Sequence, residues 1–375
     1  MKFFQERKAK FLVGNAFYRC ESEVVRDLGV LAAAIYKGDR GSLRVLDVMS
    51  GSGVRSLRYW LEGGADWIWT NDSNPELNDL LQQNLGAAIA SGCLKLTHRD
   101  ANRIFFDCYD RKDYYDLVDV DSFGAGLPFL DTMLWATKIG GLIYLTSTDG
   151  KTGTGHLPEN SLKMYGSYTR IHPAAQEQAL RLLIGKMQQS AASKGLGIEP
   201  IFSLFAAKTY RIMARLSSKP RLNAENYGFL GYCHACGQYQ TIDWRKLGQN
   251  HCPVEGSPLT LTGPLWLGKL HDRNYLEQMI TLAENWQWPK RVELLQIMRS
   301  EADLPPYFYT LGEIGRRGKM DIPKRSQLIL AIQNRGYRAS ATHIDPQAIK
   351  TDMTLLDCIS VARELTTALD FKNLL

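Results

Sequence analysis

Between residues 44 and about 215, short apolar β-rich runs alternate with longer amphipathic segments, which restricts the chain to a parallel sheet covered by helices. Strands are expected at Arg44–Val48, Trp67–Thr70, Leu94–Thr97, Asp116–Val120 and Leu142–Ser147, with a closing antiparallel pair near Ile201–Ala206 and Tyr210–Leu216. Helices are expected near Val54–Leu61, Pro75–Ala90, Pro128–Thr137 and Pro173–Ala192. Such an α/β alternation is the pattern of a fold that binds a nucleotide-type cofactor. After Leu216 the texture changes: Ser217, Ser218 and Pro220 read as a linker, followed by a Gly- and Cys-containing stretch and then mostly helical sequence. Two domains are therefore expected, residues 1–220 and a smaller α+β part over 221–375, and 45% hydrophobic residues suffice for two cores.

The glycines of Asp47-Val-Met-Ser-Gly51-Ser-Gly53 follow the first strand and open a helix, so the backbone approaches a ligand where helix amides point outward. A dinucleotide fingerprint needs a third glycine at Ser56. An acid followed four and six residues later by glycines is instead the spacing of S-adenosylmethionine (SAM) sites, with Gly51 and Gly53 under the methionine and ribose. Asp72, after the second strand, is suited to grip both ribose hydroxyls. Asp100, after the third, is placed to accept from an adenine amino group, with Ala101 beside it. Each acid alone reads as a helix cap. Three at successive strand ends, on the edge where α/β sheets bind ligands, read as a site.

Asp121-Ser122-Phe123-Gly124 follows the fourth strand. An exocyclic base amine has a delocalised lone pair and attacks poorly until acceptors hold its N–H groups. Asp121 and the Ser122 carbonyl supply such a pair, the carboxylate balances positive charge growing on nitrogen, and Phe123 stacks on the base or shapes its pocket. The plain alternative is an Asp turn ending a strand, with Phe123 in the core.

These residues resemble the tRNA (guanine-26 N2)-dimethyltransferase family, and the resemblance runs almost end to end. It is carried by Glu6–Lys10, Phe17-Tyr18, Arg26-Asp27-Leu28, Pro128–Asp131, Thr148-Asp149, Gly263–Gly268, Gly336–Ser340 and Lys350-Thr351-Asp352, together with the strand-end acids. The resemblance implies a class I, Rossmann-like SAM-dependent enzyme that places one or two methyl groups on the 2-amino group of a tRNA guanine. It implies that Asp121 lies at the target amine and that Phe17 and Arg26 help form the pocket. The family usually has Asn-Pro where this chain has Arg19-Cys20, and Asp-Pro-Phe-Gly where it has Ser122 in second place. The rival expectations are a tRNA-binding relative with lost or altered methylation, or an amino-methyltransferase acting on another substrate.

Cys233 and Cys236, a CxxC pair, with Cys252 make three-quarters of a zinc ribbon, and Glu255 holds the fourth place; either Glu255, His234 or His251 completes a zinc site or a degraded ribbon is held by packing, and no metal is assigned. The formal charge of +6 leans mildly toward polyanions. The basic run Lys208, Arg211, Arg215, Lys219 and Arg221, and a second excess between Lys290 and Lys350 interleaved with tyrosines, read as a tRNA-binding surface shared by both parts. Two short helices at Gly312–Arg317 and Lys324–Asn334 suggest a winged-helix style. No apolar run is long enough to cross a bilayer and MKFFQERKAK is no signal peptide, so a cytoplasmic protein without membrane or DNA partners is expected.

Overall fold

The computed structural model describes residues 2–373. The first of two compact units comprises the chain up to Asp149, Met187–Arg221 and Asn274–Val292. It opens with a hairpin, β1 (Phe3–Glu6) and β2 (Ala9–Leu12), and helix α1 (Glu23–Arg40). The parallel strands are β3 (Arg44–Asp47), β4 (Trp67–Asn71), β5 (Leu94–Thr97), β6 (Tyr115–Val120) and β7 (Thr137–Ser147). Helices α2 (Val54–Leu61), α3 (Asn78–Ala90), α4 (Ala101–Asp110) and α5 (Leu130–Ala136) connect them. Strands β8 (Gly197–Ala206) and β9 (Thr209–Ser217) pair antiparallel, and the sheet order is β5-β4-β3-β6-β7-β9-β8.

The chain runs outward from β3 to β5 and returns to place β6 against β3. The loops after β3 and β6 therefore diverge and leave a crevice at the carboxyl edge, where open α/β sheets bind ligands. Strand β6 is buried along its whole length: Leu117, Val118 and Val120 are apolar, and Asp116 and Asp119 are held by Tyr36 and by Tyr59 and Arg211. Because β9 runs against its neighbours, its first residues, not its last, reach that same edge, and Thr146 pairs with Arg211.

The second unit comprises Gly150–Lys186, Leu222–Arg273 and the chain from Glu293. The division is thus not a single cut near residue 220: 150–186 belongs with the C-terminal sequence and 274–292 with the N-terminal sequence. The chain forms α6 (Gly150–Gly153), α7 (Pro158–Tyr165) and α8 (Ala175–Ala192), then a sheet ordered β11-β10-β12 from β10 (Tyr227–Tyr232), β11 (Tyr239–Ile242) and β12 (Thr260–Trp266). Helix α9 (Arg273–Asn285) follows, almost wholly in the first unit, and α10 (Pro289–Glu301) carries the chain from the first unit into the second. Strands β13 (Tyr309–Thr310), β14 (Ala339–Ala341) and β15 (Ala348–Thr351), with α11 (Leu311–Gly318), α12 (Arg325–Asn334) and α13 (Leu355–Asn373), complete it. The two short helices expected near 312 and 324 are α11 and α12, followed by the β14–β15 pair.

Buried charge organises this unit. Glu177, fully buried, accepts from Arg181 Nη2 and from Lys350 Nζ, each at 2.7 Å. Lys350 also lies 4.0 Å from Glu301, whose other oxygen accepts from the His343 ring and, at 3.1 Å, from the His343 amide. Two carboxylates and two cations thus compensate one another away from water, as buried ions must. Cys233, Cys236 and Cys252 pack with Ile242 and Leu259, the Cys236 and Cys252 sulfurs 3.5 Å apart, while Glu255 is exposed.

Candidate active site

A chamber of about 640 Å³ opens at the crevice between the β3 and β6 loops. Phe17, Arg26, Gly51, Asp72, Asp121, Ser122 and Phe123 all stand on its wall. The sequence gives no reason for the hairpin and α1 to join these loops; buried pairing does. Arg26 donates to Glu6 through Nε (2.8 Å) and Nη2, and Nη2 also reaches the Arg19 carbonyl at 2.9 Å. Tyr18 donates to the same Glu6 at 2.8 Å. Burial raises the Glu6 pKa, but Arg26 outweighs it and holds the carboxyl ionised. The segment 17–19 is thereby fixed over the chamber, with Phe17 edge-on to Phe123 at 5.0 Å. Both rings are exposed, Phe123 to 75%, so two large apolar groups face the open chamber.

On the β3 side the Gly51 amide donates to Asp72 Oδ2 at 2.8 Å, and Asp72 Oδ1 accepts from Asn74 N at 3.0 Å. Gly51 has φ +55 and its missing Cβ leaves only backbone within 3.4 Å, so a ligand can lie against the turn. Gly53 has a different use: with φ +77, a Cβ there would strike Leu81 at 2.9 Å, so this glycine seats α2 against α3. Asn71, fully buried, donates to the carbonyls of Val48 and Arg99 and ties the loops after β3, β4 and β5 together.

Asp47, Gly53, Asp100 and Ala101 are not on the chamber wall. Asp47 is fully buried and accepts from Ser56 Oγ at 2.7 Å. Burial, with the Asp119 charge, pushes its carboxyl up to about 7. Asp100 caps α4, accepting from Arg103 N at 3.2 Å, and Ala101 is the first residue of that helix.

Asp121 stands in a charged cluster that local sequence does not announce. Arg55, from α2, donates to Asp121 Oδ2. Thr146 Oγ1, from β7, donates to Asp121 Oδ1 at 2.7 Å. Arg211 Nη1, from β9, lies 3.3 Å from Asp119 and 3.8 Å from Asp121. Burial works to raise the Asp121 pKa, but Arg55 and Arg211 prevail and hold it well below the ordinary carboxylate range. A carboxylate so held accepts hydrogen bonds and does not take up protons at neutral pH. Arg211 is fully buried, which corrects its reading as part of an RNA-facing basic run; Lys208, Lys219 and Arg221 of that run are exposed. Ser50, Ser122 and Arg55 belong to the wall, and their Oγ, Oγ and Nη1 atoms are shielded from water without a hydrogen-bond partner among the described residues, so the wall combines polar groups with apolar rings. That mixture fits SAM, which presents a purine, a ribose and a charged amino acid end.

Arg55, Thr146 and Arg211 were not singled out as site residues from sequence. Arg55 stands two residues beyond Gly53 on the first turn of α2, a position from which a side chain reaches the crevice. Thr146 and Arg211 carry no local signal, being brought together by the β7–β9 register.

The family model described as "N2,N2-dimethylguanosine tRNA methyltransferase" matches residues 4–363. The tRNA (guanine(26)-N(2))-dimethyltransferase of Pyrococcus horikoshii is 30% identical over 372 residues, covering 92% of this chain and 94% of that protein. The Pyrococcus abyssi protein of the same name is 29% identical over 375 residues with the same coverage. Among solved structures, the complex of Trm1 from P. horikoshii with S-adenosyl-L-methionine superposes with TM-score 0.84 at 28% identity, covering 96% of this chain and 99% of that one.

Proposed function

Since the chain belongs to the family of N2,N2-dimethylguanosine tRNA methyltransferases, we propose that the chamber between β3 and β6 is where it methylates the exocyclic 2-amino group of a tRNA guanine, guanine 26 as in its named relatives. The observation that carries this reading is that Asp121, ionised and partly exposed, lines the same chamber as the Gly51–Asp72 turn. SAM supplies an electrophilic methyl on its sulfonium. Asp72 and the Gly51 turn hold the ribose end, and Phe17 covers the purine and base side of the chamber.

The target base stacks against Phe123, and its 2-amino hydrogens go to the Asp121 carboxylate and the Ser122 carbonyl. Held this way, the nitrogen lone pair is free to attack and the positive charge that builds on nitrogen faces a fixed negative group. The nitrogen proton lost after methylation is acidic and leaves to water. The same chamber admits the amine again after one transfer. The second unit, with exposed Arg316 and Lys324, binds the tRNA body, and the reaction takes place in the cytoplasm.

Transfer of labelled methyl from SAM to unmodified tRNA, located by nuclease digestion, tests the reading. Label in N2-methylguanosine or N2,N2-dimethylguanosine is expected. Label elsewhere, or tRNA binding without transfer, would replace it with another amino-methyltransferase or a non-catalytic relative.

A further inference from the structure

Thr146 sits between Arg211 and Asp121. Arg211 Nη1 donates to Thr146 Oγ1, and Thr146 Oγ1 donates to Asp121 Oδ1 at 2.7 Å. A guanidinium has no acceptor, so the threonine hydroxyl must receive from Arg211 and has its single hydrogen left for Asp121. The relay therefore has one direction. Thr146 is 1% exposed and Arg211 0%, so water does not compete for either link.

Arg211 is itself fixed on three sides. Its guanidinium lies over the Tyr144 ring at 4.0 Å, and the Tyr144 hydroxyl donates to the Val25 carbonyl of α1 at 2.7 Å. Nη1 also faces Asp119 Oδ1 at 3.3 Å, and Asp119 Oδ2 accepts from Tyr59 at 2.7 Å. Asp119 lies on β6 and Asp121 is the first residue after it, and Arg211 Nη1 lies within 3.8 Å of both carboxylates. Arg211 shares the neutralisation of the buried Asp119 with Arg55, 3.8 Å away, and with the Tyr59 hydroxyl. Its second bond, to Thr146, is the link that leads on to Asp121 Oδ1.

The geometry points to Arg211 as a positioning residue that acts through the Thr146 hydroxyl to aim the Asp121 carboxylate at the base amine. This rests on the methyl-transfer reading above. The groups facing Asp121 are Arg55 from α2, Arg211 from β9, Thr146 and Tyr144 from β7, Asp119 from β6 and Asp47 from β3. Two are cations. Removing Arg211 deletes one of them, so the Asp121 pKa must rise and its ionised form must be lost at a higher pH than in the wild type.

Single-turnover transfer with saturating SAM and tRNA, followed from acid to neutral pH on the full chain, tests the relay. Thr146→Val keeps the shape and removes the hydroxyl; a rate roughly tenfold lower is expected, with SAM and tRNA affinities within about twofold of wild type. Thr146→Ser should recover most of that loss. Arg211→Met should slow transfer and move the acid limb of the profile to higher pH, and Arg211→Lys should move it less. Thr146→Val at wild-type rate, a loss seen in binding instead of transfer, or an unmoved limb in Arg211→Met overturns the assignment. Should Arg211→Met not fold, the Thr146 pair decides alone. A wild-type chain that transfers no methyl to tRNA would sink the functional reading; carboxyl-carbon NMR titration of Asp121 in wild type and Thr146→Val then decides the relay, a raised midpoint in the variant supporting it and an identical one overturning it.

Discussion

The Gly51 amide points its hydrogen at Asp72 Oδ2, 2.8 Å away, so the acid after β4 braces the turn after β3. With Oδ1 taken by Asn74 N, Asp72 is oriented on the chamber wall before any ligand arrives. Asp72→Ala should weaken SAM binding by about 2 to 4 kcal/mol, because two charge-assisted ribose contacts and the brace are lost together. Calorimetry showing unchanged SAM affinity would remove Asp72 from the cofactor site; tRNA affinity should barely alter.

Asp121→Asn retains shape and loses charge. Transfer is expected to fall by roughly 10²-fold or more, with tRNA affinity little changed since phosphate contacts dominate RNA binding. Ser122→Pro removes a hydroxyl that is buried without a partner and stiffens the turn, so activity should hold or rise. A wild-type rate in Asp121→Asn would mean that another group accepts from the amine.

The cations of α11 and α12 are not equivalent. Arg317 is committed inside its unit, to Glu313 at 2.7 Å and to the carbonyls of His234 and Ala235, whereas Lys324 is exposed and Arg316, paired with Glu313, has 64% of its side chain exposed. Alanine at Arg316, Lys324 and Arg325 should flatten the log-log salt dependence of tRNA binding by roughly 0.7 to 0.9 per lost phosphate contact. Arg317→Ala should instead lower the melting temperature. An unchanged slope in the triple variant places the RNA surface elsewhere.

Burial pushes the His172 and His271 rings down to about 4. The Ala174 amide donates to the Tyr239 hydroxyl at 3.1 Å, whose own hydrogen goes to His172 Nδ1 at 3.0 Å, leaving Nε2–H for Gln178 at 2.8 Å. That chain works only with a neutral ring. Unfolded histidines take up protons near pH 6.5 while the folded ones do not, so stability is complete above that value and is lost as pH falls toward 4. Urea melts should show a loss on the order of 2 to 4 kcal/mol between about pH 7 and about pH 5. A flat profile over that window would contradict neutral burial.

Three sulfurs and the Ser257 hydroxyl, 3.6 Å from Cys233, line the ribbon turn, within an apolar cluster that includes Ile242 and Leu259. Packing is expected to hold this turn. Tag-free protein should therefore carry zinc well below one equivalent and melt unchanged after chelation. A stoichiometric signal that disappears in Cys252→Ser would make the cluster a metal site.

The strand ends at Thr97 and Val120 were legible, and those at Asp47 and Asn71 to within one residue of the expected Val48 and Thr70, because each closes an apolar run on the edge where ligands bind. Strand β8 begins at Gly197, four residues before the expected start, because Glu199 and Pro200 interrupt its apolar pattern. The β1–β2 hairpin and α4 were not anticipated: alternating lysines mask the first, and the charges flanking Phe105-Phe106 mask the second. The buried ions escaped for a different reason. Lys350 finds its partner 173 residues away, and nothing near it in sequence distinguishes it from a solvated lysine.

The interleaving of the two units has a consequence for synthesis. All seven strands of the large sheet have been made by Ser217, but the flank of α1 waits for Tyr275, which donates to the Ala32 carbonyl at 2.8 Å, and for Arg291, which reaches the buried Asp27 at 2.6 Å beside Arg7 and Arg58. At a translation rate of about 5 to 20 residues per second, the nascent sheet stands incomplete for on the order of 4 to 15 s. During that interval Asp27 lacks one of its three cations, and the ribosome is meanwhile delivering the β10–β12 sheet of the other unit. The N-terminal unit is therefore begun first but cannot be completed until two segments of the other unit have been made, and a chain released after the last strand lacks the segment that covers the flank of α1.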